Sequence, residues 1–335
     1  MSTVEVRVGK ATAGALLVTL LAVICVASVA LGARSIPLGV VWDAIFHPTG
    51  VPDHLIVRSL RVPRTLLGVL AGLALGAAGA LMQGHTRNPL ADPGLLGVTQ
   101  GAAFAVVLAV VVLGIDDLYA FIWFGFAGAL VASAVVFLLG AVGGRGATPV
   151  TLALAGAAVS ALLNGVISAI VLGDDRGMET YRFWHVGSIA GRDPAMIGQI
   201  APFVAAGLLL AVINTPGMNT LALGDDVAVA LGRRVGRTRL LGVAAITLLT
   251  GAAVAACGPI AFLGLLVPHF ARAISGPDYR WLVPFSAVLG AILLLAADLL
   301  GRVVASDSLE VGIMLAVLGV PVFVHLVRKK GLARI

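Results

Sequence analysis

The sequence is poor in charged residues. Only 11% of its 335 residues are Asp, Glu, Lys or Arg, whereas 60% are hydrophobic, and the mean hydropathy is +1.08. A soluble domain carries about 25% charged residues, so a surface made from this chain would aggregate in water. Lipid must therefore be the solvent for most of it. The basic residues that give the net charge of +6 lie between apolar blocks, which favours membrane orientation over nucleic-acid binding.

Metal-binding and nucleotide-binding patterns are also missing. The two cysteines, Cys25 and Cys257, lie inside apolar stretches, and the six histidines are scattered without ligand spacing. We therefore predict no metal site and no cofactor bound by this chain. Only three lysines occur, and none belongs to a G-x-x-x-x-G-K-[ST] loop that could cradle a nucleotide. If transport is driven by ATP, the ATP and its Mg²⁺ must bind to a separate ATPase chain.

Two other classes of membrane protein have little support in the sequence. Ion-coupled secondary transporters normally carry ionisable groups along their path, and here Asp298 is the clearest intramembrane carboxylate. Such a carrier remains the alternative from a different class, and its uptake would survive loss of ATP but collapse with the proton gradient. An intramembrane enzyme would need a nucleophile or a His/carboxylate constellation within the spans, and none is found.

Long blocks without charged residues predict the membrane spans. A helix needs about 20 apolar residues to cross about 30 Å of hydrocarbon. The block 240–271 exceeds one span and carries Gly258-Pro259 near its middle, so we divide it into two helices. The prediction is an all-α integral membrane protein with ten transmembrane helices. The blocks are 11–33, 65–86, 93–115, 118–144, 146–173, 194–224, 240–271, 281–297 and 311–327.

The first block could also be the apolar core of a signal peptide, because Arg7 and Lys10 precede it. It is longer than such a core usually is, and further spans follow, so we favour an uncleaved span. An even number of spans places both termini on the same side. With both termini in the cytoplasm, 14 of the 22 basic residues lie inside and 8 outside, as the positive-inside rule favours.

Glycines recur one helical turn apart in the second block. Small residues at this spacing let helix backbones approach closely in lipid. We interpret them as plain helix packing rather than as part of a site. They are Gly68, Gly72, Gly76 and Gly79.

Proline-rich breaks interrupt the spans. The run 87–93 carries two prolines with Asn88 and Asp92 beside them, and further interruptions are predicted at Gly258-Pro259 and at Pro268-His269. Broken backbone at membrane depth is tolerated only where protein or a water-filled path surrounds it. The breaks are therefore candidates for a translocation path.

The longest inner segment, 215–238, contains the pattern of a short helix. Asp225 and Asp226 favour the positive end of a helix dipole, and Gly232 is typical of a helix end. A folded helix in a cytoplasmic loop would offer a partner protein a docking site. The alternative is an amphipathic connector that lies on the membrane.

Arginines concentrate on the predicted outer side, against the orientation bias. They are Arg58, Arg61, Arg64 and Arg302. A protein partner presenting carboxylates would explain them through charge-assisted hydrogen bonds. The competing interpretation is internal pairing, since Asp298 and Arg302 are four residues apart and can meet on one helix face. Both interpretations can hold for Arg302.

With these features in place, the chain resembles the permeases of type II ABC importers, which carry iron–siderophore complexes, haem and vitamin B12. The resemblance covers nearly the whole chain, and the run 82–98 is particularly similar to permeases for ferric catecholate siderophores such as enterobactin. The matching stretches, in family order, are 61–67, 79–83, 87–98 with Gly101-Ala102, 223–228, 258–269, Ala297-Asp298 with Arg302, and 319–323.

The resemblance implies an assembly and a cargo. A single permease domain, 1–335, would pair with a second permease, identical or paralogous, around one central path in the bacterial cytoplasmic membrane. Two cytoplasmic ATPases would drive it, and an extracytoplasmic siderophore-binding protein would deliver the ligand. The implied function is ATP-driven import of ferric siderophore, with haem or vitamin B12 as the alternative cargo within the same family.

The resemblance also implies roles for individual residues. Arg61, Arg64 and Arg302, with Arg58 beside them, would grip the binding protein, and 174–193 would hold a short outer gating helix at 178–189. The implied ATPase-coupling residues are Leu221, Leu223, Gly224, Asp225, Asp226, Ala228, Leu231 and Gly232. The implied path and gate residues are Gln83, Asn88, Pro89, Pro149, Val150, Pro259 and Pro268. The chain departs from the family pattern at Gln100, Pro149-Val150 and Glu310.

Overall fold

The computed structural model describes residues 9–32, 34–115, 118–142, 147–304 and 309–328, and within these ranges all regular secondary structure is helical. Both chain ends, and with them Arg7 and residues 329–335, lie outside the described residues, as does Arg145. The helices are α1 (Lys10–Ala30), α2 (Leu38–Phe46), α3 (Pro52–Thr86), α4 (Val98–Val111), α5 (Leu118–Ala141), α6 (Pro149–Val171), α7 (Asp175–Val186), α8 (Ala195–Leu221), α9 (Asp225–Ala230), α10 (Val235–Cys257), α11 (Leu263–Ser275), α12 (Tyr279–Val304) and α13 (Val311–Arg328).

Seven described helices are long and apolar enough to cross a membrane: α1, α3, α5, α6, α8, α10 and α12. Three further apolar helices, α4, α11 and α13, are shorter. Each predicted span corresponds to one of these helices, and the predicted all-α membrane architecture is confirmed. The main difference lies in α3. It begins at Pro52 rather than near residue 65 and includes a π-helical turn at Ile56–Arg61.

The predicted breaks are mostly confirmed. After α3, Arg87 adopts a left-handed conformation (φ 49°), and a 3-10 turn at Pro93–Leu96 precedes α4. The block 240–271 is divided as predicted, because α10 ends at Cys257 and α11 begins at Leu263. The interruption predicted at Pro268-His269 is wrong. Pro268 lies inside α11, which continues past it to Ser275. A proline there removes one backbone hydrogen bond, and membrane helices tolerate this loss where neighbouring helices surround them.

The glycines of α3 let this helix pack against two neighbours, so the packing interpretation is confirmed. A Cβ atom on Gly72 would lie 2.4 Å from the Cα of Ala291, and one on Gly76 would lie 2.1 Å from the carbonyl oxygen of Ser286, both in α12. A Cβ atom on Gly79 would lie 2.1 Å from the carbonyl oxygen of Gly264 in α11. Only glycine permits these backbone contacts, which hold α3 at the centre of the protein.

Candidate functional site

One buried aspartate pairs with two of the arginines predicted to lie outside. Asp298 of α12 is 0% exposed. Arg64 of α3 donates to its carboxylate from Nε at 3.0 Å and from Nη2 at 2.6 Å, and Arg302 Nη2 lies 3.0 Å from Oδ2. The predicted pairing of Asp298 with Arg302 is therefore confirmed. We refer to Arg61, Arg64, Arg302 and Asp298 as the outer cluster, after the side predicted from the sequence.

The outer cluster also caps the end of α1. Arg61 Nη1 donates to the carbonyl oxygens of Val29 at 2.8 Å and Ala30 at 2.7 Å, and Arg302 Nη1 donates to that of Ser28 at 2.9 Å. The last carbonyls of a helix have no intrahelical partners, and positive charge is favourable there. The guanidinium groups therefore fasten the end of α1 to α3 and α12.

These contacts bear on the predicted docking arginines. Arg61 and Arg302 are buried, Arg64 is partly buried, and Arg58 on the π-helical turn is exposed. The structure thus brings Arg61, Arg64 and Arg302 together as the sequence suggested, but their hydrogen bonds point into the protein. Arg64 and Arg302 share the carboxylate of Asp298, whereas Arg61 binds backbone carbonyl oxygens, so the cluster keeps an excess of positive charge near this end of the molecule. Docking of a binding protein stays a prediction.

A second aspartate at the other end of α3 is held by two arginines. Asp225 Oδ1 accepts from Arg87 Nη2 at 2.5 Å, and Oδ2 accepts from Arg239 Nη2 at 2.6 Å. Arg87 follows the last residue of α3, and Arg239 lies in the second turn of α10. We refer to Asp225, Arg87 and Arg239 as the inner cluster. Asp225 is 39% exposed, so water reaches this cluster, unlike the outer one.

The predicted cytoplasmic helix is present as α9. Asp225 and Asp226 form its first turn, and Gly224 and Gly232, with φ values of 113° and 76°, turn the chain on either side. These left-handed conformations are open to glycine at little cost. Leu221 and Ala228 are buried and anchor the segment, whereas apolar side chains on the other face are open to solvent. They are Leu223, Val227, Val229 and Leu231.

The predicted path residues are divided between the interior and the surface. Gln83 is fully buried, and its Nε2 donates to the carbonyl oxygen of Leu265 at 3.0 Å. It therefore ties α3 to α11. Pro268 is also buried. Asn88 is exposed, and its Oδ1 accepts from the backbone amide of Leu90 at 2.9 Å, which shapes the turn around Pro89.

The two breaks meet at one cavity of about 250 Å³. Asp92 and Pro93 line it from the first break, and Pro259 lines it from the second. Gln100 and Thr250 also face the cavity, and their Oε1 and Oγ1 atoms have no hydrogen-bond partner within the described ranges. Buried polar atoms of this kind are commonly satisfied by ordered water, so the breaks surround a mainly apolar cavity that carries a few unsatisfied polar groups.

The start of α6 is held rigidly where the resemblance implies an inner gate. Thr148 caps the helix, accepting from the amide of Thr151, while the Thr151 hydroxyl accepts from the amide of Thr148. Pro149 stands at the first helical position, where its fixed φ suits the helix, and Val150 is exposed.

No group of three His, Cys, Asp or Glu side chains in the described part of the chain could hold a metal ion.

One face of α6 was missed at the sequence level. Asn164 and Ser168 are exposed there, four residues apart, next to Ala161 and Gly165. A polar side chain on a membrane span normally faces a cavity or a protein neighbour rather than lipid. The signal was available in the i,i+4 spacing of Asn164 and Ser168, but the small residues around them resembled ordinary helix packing.

The predicted outer gating segment forms a helix, α7, which Asp174 caps by accepting from the amide of Gly177 at 2.8 Å. Its end is tied to the second break, since the amide of Ser188 donates to the carbonyl oxygen of Cys257 at 2.7 Å. Burial lowers the pKa of His185 in α7 below its ordinary value.

Comparison with known proteins places this geometry in a family. The profile of the FecCD transport family matches residues 20–329. The chain belongs to the FecCD transport family. This permease is 45% identical over 327 residues to the ferric enterobactin transport system permease protein of Escherichia coli K12, covering 97% of this chain and 98% of the relative. It is 41% identical over 335 residues to the iron(3+)-hydroxamate import system permease protein of Bacillus subtilis, covering 97% and 86%.

A solved structure agrees with the family assignment. It shows a metal-chelate type ABC transporter in an inward-facing conformation and matches this permease with a TM-score of 0.84 at 26% identity, covering 95% of this chain and 99% of the other. The predicted ABC importer permease is therefore confirmed, and the ATPase of this family is a separate chain. This permease is a multi-pass protein of the cytoplasmic membrane that works with an ATPase and a substrate-binding protein.

Proposed function

We propose that this permease moves ferric siderophores of the catecholate class through the membrane, driven by ATP that binds with Mg²⁺ to the partner ATPase. The observation that carries the proposal is the full-length similarity, at 45% identity, to a permease for ferric enterobactin. The run 82–98, which shapes the first break, also resembles the permeases for catecholate siderophores. Three of its residues, Asp92, Pro93 and Gly94, line the cavity between the two breaks.

The proposed topology has ten membrane-spanning helices with both termini in the cytoplasm. The seven long helices supply seven spans, and α4, α11 and α13 supply three shorter ones. A helix shorter than the bilayer is tolerated where protein surrounds its end. This holds for α4 and α11, whose first residues, Val98 and Leu263, are buried. In this orientation the inner cluster and α9 face the cytoplasm.

The ATPase would dock on the exposed side of α9. Leu223, Val229 and Leu231 present an apolar surface on a cytoplasmic segment, where lipid cannot cover it and a protein partner can. Buried Leu221 and Ala228 hold the segment against the rest of the molecule. The negatively charged first turn, Asp225 and Asp226, would lie beside that surface.

The binding protein would dock near the outer cluster. The excess positive charge of Arg61, Arg64 and Arg302 attracts an acidic surface over a distance, and exposed Arg58 can form a direct contact. Arg58→Glu should lower binding-protein-dependent uptake without changing thermal stability. Arg61→Glu should lower both, because it also removes the cap on α1. Unchanged uptake in Arg58→Glu would exclude this residue from docking.

The second permease would face α6. Its exposed Asn164 and Ser168 suit a water-filled path between two subunits better than lipid. Two identical permeases and a pair of paralogues both satisfy this geometry. Mass spectrometry of the intact complex, purified through a tag on this chain, distinguishes them by the mass of the second subunit.

Reconstituted transport tests the proposal directly. The complete importer in proteoliposomes should take up radio-iron-labelled ferric enterobactin only when ATP and the binding protein are present. Faster uptake of haem or cobalamin would move this permease to another cargo of the same family. Uptake that continues without ATP and stops when the proton gradient is collapsed would instead identify an ion-coupled carrier and overturn the proposal.

A further inference from the structure

The inner cluster joins α9 to the start of α6 through one side chain. Arg239 is 8% exposed and uses both ends of its guanidinium group. Its Nη2 donates to Asp225 Oδ2 at 2.6 Å, and its Nη1 donates to the carbonyl oxygen of Ala147. Ala147 is buried and immediately precedes Thr148, the cap of α6. A single planar group therefore spans the coupling segment and the implied inner gate.

Both ends of this link are fixed. On the α9 side, the second oxygen of Asp225 is held by Arg87, whose Nη2 also donates to the carbonyl oxygen of Leu221 at 2.8 Å. On the α6 side, the hydroxyl of Thr151 donates to the carbonyl oxygen of Gly140 at 2.7 Å, which ties the start of α6 to the end of α5. Displacement of α9 therefore cannot be absorbed by loose side chains along this route.

The exposure of the cluster argues against a role in stability alone. Asp225 and Arg87 are 39% and 35% exposed, and ion pairs in contact with water contribute little to folding. Arg is suited to a geometric role, because its planar fork holds two acceptors in fixed directions, which the single ammonium group of lysine cannot do. The arrangement therefore fixes the position of α9 relative to the start of α6 more than it stabilises the fold.

We propose that Arg239 is a positioning residue that transmits displacement of α9, through Asp225 on one side and Ala147 on the other, to the start of α6. When the ATPases move α9, the guanidinium group carries Ala147 with it, and the capped first turn of α6 follows. Arg87 keeps Asp225 in register with the end of α3 during this motion. The inference rests on the proposed function, since it assumes that an ATPase moves α9.

The test uses the complete importer in lipid nanodiscs and proteoliposomes, with Arg239→Gln and Arg239→Lys as the variants. Arg237→Gln is the matched control, because Arg237 lies on the same helix two residues earlier and is exposed. Three quantities are measured: the ATPase rate, ferric enterobactin uptake per ATP hydrolysed, and the ATP-dependent labelling of Val150→Cys by a thiol reagent. The labelling experiments use protein in which Cys25 and Cys257 are replaced by Ser, so that only the introduced cysteine can react.

Arg239→Gln should keep the ATPase bound and active but lower uptake per ATP by about tenfold, and it should abolish the ATP-dependent change in labelling. Arg239→Lys should fall between the wild type and Arg239→Gln. Arg237→Gln should match the wild type in all three measurements. Asp225→Asn is the second variant, for use if Arg239→Gln assembles poorly. It keeps the side-chain volume but removes the charge that Arg239 binds, so it should lower uptake per ATP in the same way.

Coupled transport and a normal labelling change in Arg239→Gln would overturn the inference. So would an equal loss in Arg237→Gln, which would indicate a general effect of charge. The labelling readout does not depend on the cargo, so it remains decisive if ferric enterobactin is not transported. Failure of the wild type to use ATP for the uptake of any cargo would contradict the proposed function. A loss of uptake per ATP and of the labelling change that is confined to the Arg239 variants would instead support the role of Arg239 in the link.

Discussion

The outer and inner clusters use the same chemistry in different surroundings. Each has arginines from separate helices gathered on one aspartate, Asp298 in the outer cluster and Asp225 in the inner one. Asp298 is fully buried and its partner Arg302 also caps α1, whereas Asp225 is open to water on a six-residue helix. A buried ion pair is costly to break, while an exposed pair contributes little to the stability of the fold. The comparison separates an anchor, which stabilises the fold, from a joint, which links two segments.

The largest expected effect is loss of the buried carboxylate. Asp298→Asn leaves Arg64 and Arg302 without their shared negative charge, and breaking a buried pair costs about 3 kcal/mol or more. We expect a clear drop in the thermal unfolding midpoint of the detergent-purified protein. Asp43→Asn, an exposed aspartate on α2, is the control and should not shift it. Equal midpoints for the two variants would contradict the description of the outer cluster as an anchor.

A smaller effect is expected from removal of the Ser28 hydroxyl, which joins α1 to Thr65 of α3 and to Arg302 of the outer cluster. Ser28 Oγ lies 2.8 Å from both Thr65 Oγ1 and Arg302 Nη2. Ser28→Ala should lower the free energy of unfolding by about 1 kcal/mol, measured by denaturant titration in mixed micelles. Ser59→Ala, at an exposed position on the π-helical turn, should have no effect. A loss as large as that of Asp298→Asn would mean that the hydroxyl rather than the carboxylate holds the cluster.

The inner cluster should show the opposite balance between stability and transport. Arg87→Gln removes an ion pair that is more than one third exposed, so we expect a stability change below about 1 kcal/mol. ATP-driven uptake should nevertheless fall, because Asp225 loses its tie to the end of α3. Thermal melting and proteoliposome uptake are measured on the same preparation. Strong destabilisation by Arg87→Gln would mean that the inner cluster stabilises the fold as the outer cluster does, and the two clusters would then not differ in this respect.

Salt should produce the smallest difference. Screening shortens the range of exposed charge interactions from about 10 Å at 0.1 M to about 3 Å at 1 M ionic strength, and it affects buried pairs much less. Double-mutant cycles on Asp225 with Arg87 should therefore weaken at high salt. Cycles on Asp298 with Arg64 should stay constant. Equal salt dependence of the two coupling energies would show that burial does not separate the clusters.

Local patterns predicted what depends on neighbouring residues. The pairing of Asp298 with Arg302 follows from the i,i+4 spacing, and the ends of α9 follow from Asp225 and Gly232. The partners brought by distant segments could not be predicted. Arg64 reaches Asp298 across 234 positions, and Arg87 reaches Asp225 across 138. The resemblance implies that Gln83 lies on the path, and only the tertiary structure shows that it is buried against α11.

The sequence by itself determined that this protein is an all-helical membrane protein, that its helices break at residues 87–93 and at Gly258-Pro259, and that a short helix stands in the long inner segment. These properties follow from the solvent, from proline and glycine backbone preferences and from helix dipoles, which act over a few residues. Only the tertiary structure decided which arginines become anchors and which form a joint. That outcome depends on burial and on the partners supplied by other helices, which side-chain spacing along one helix does not encode.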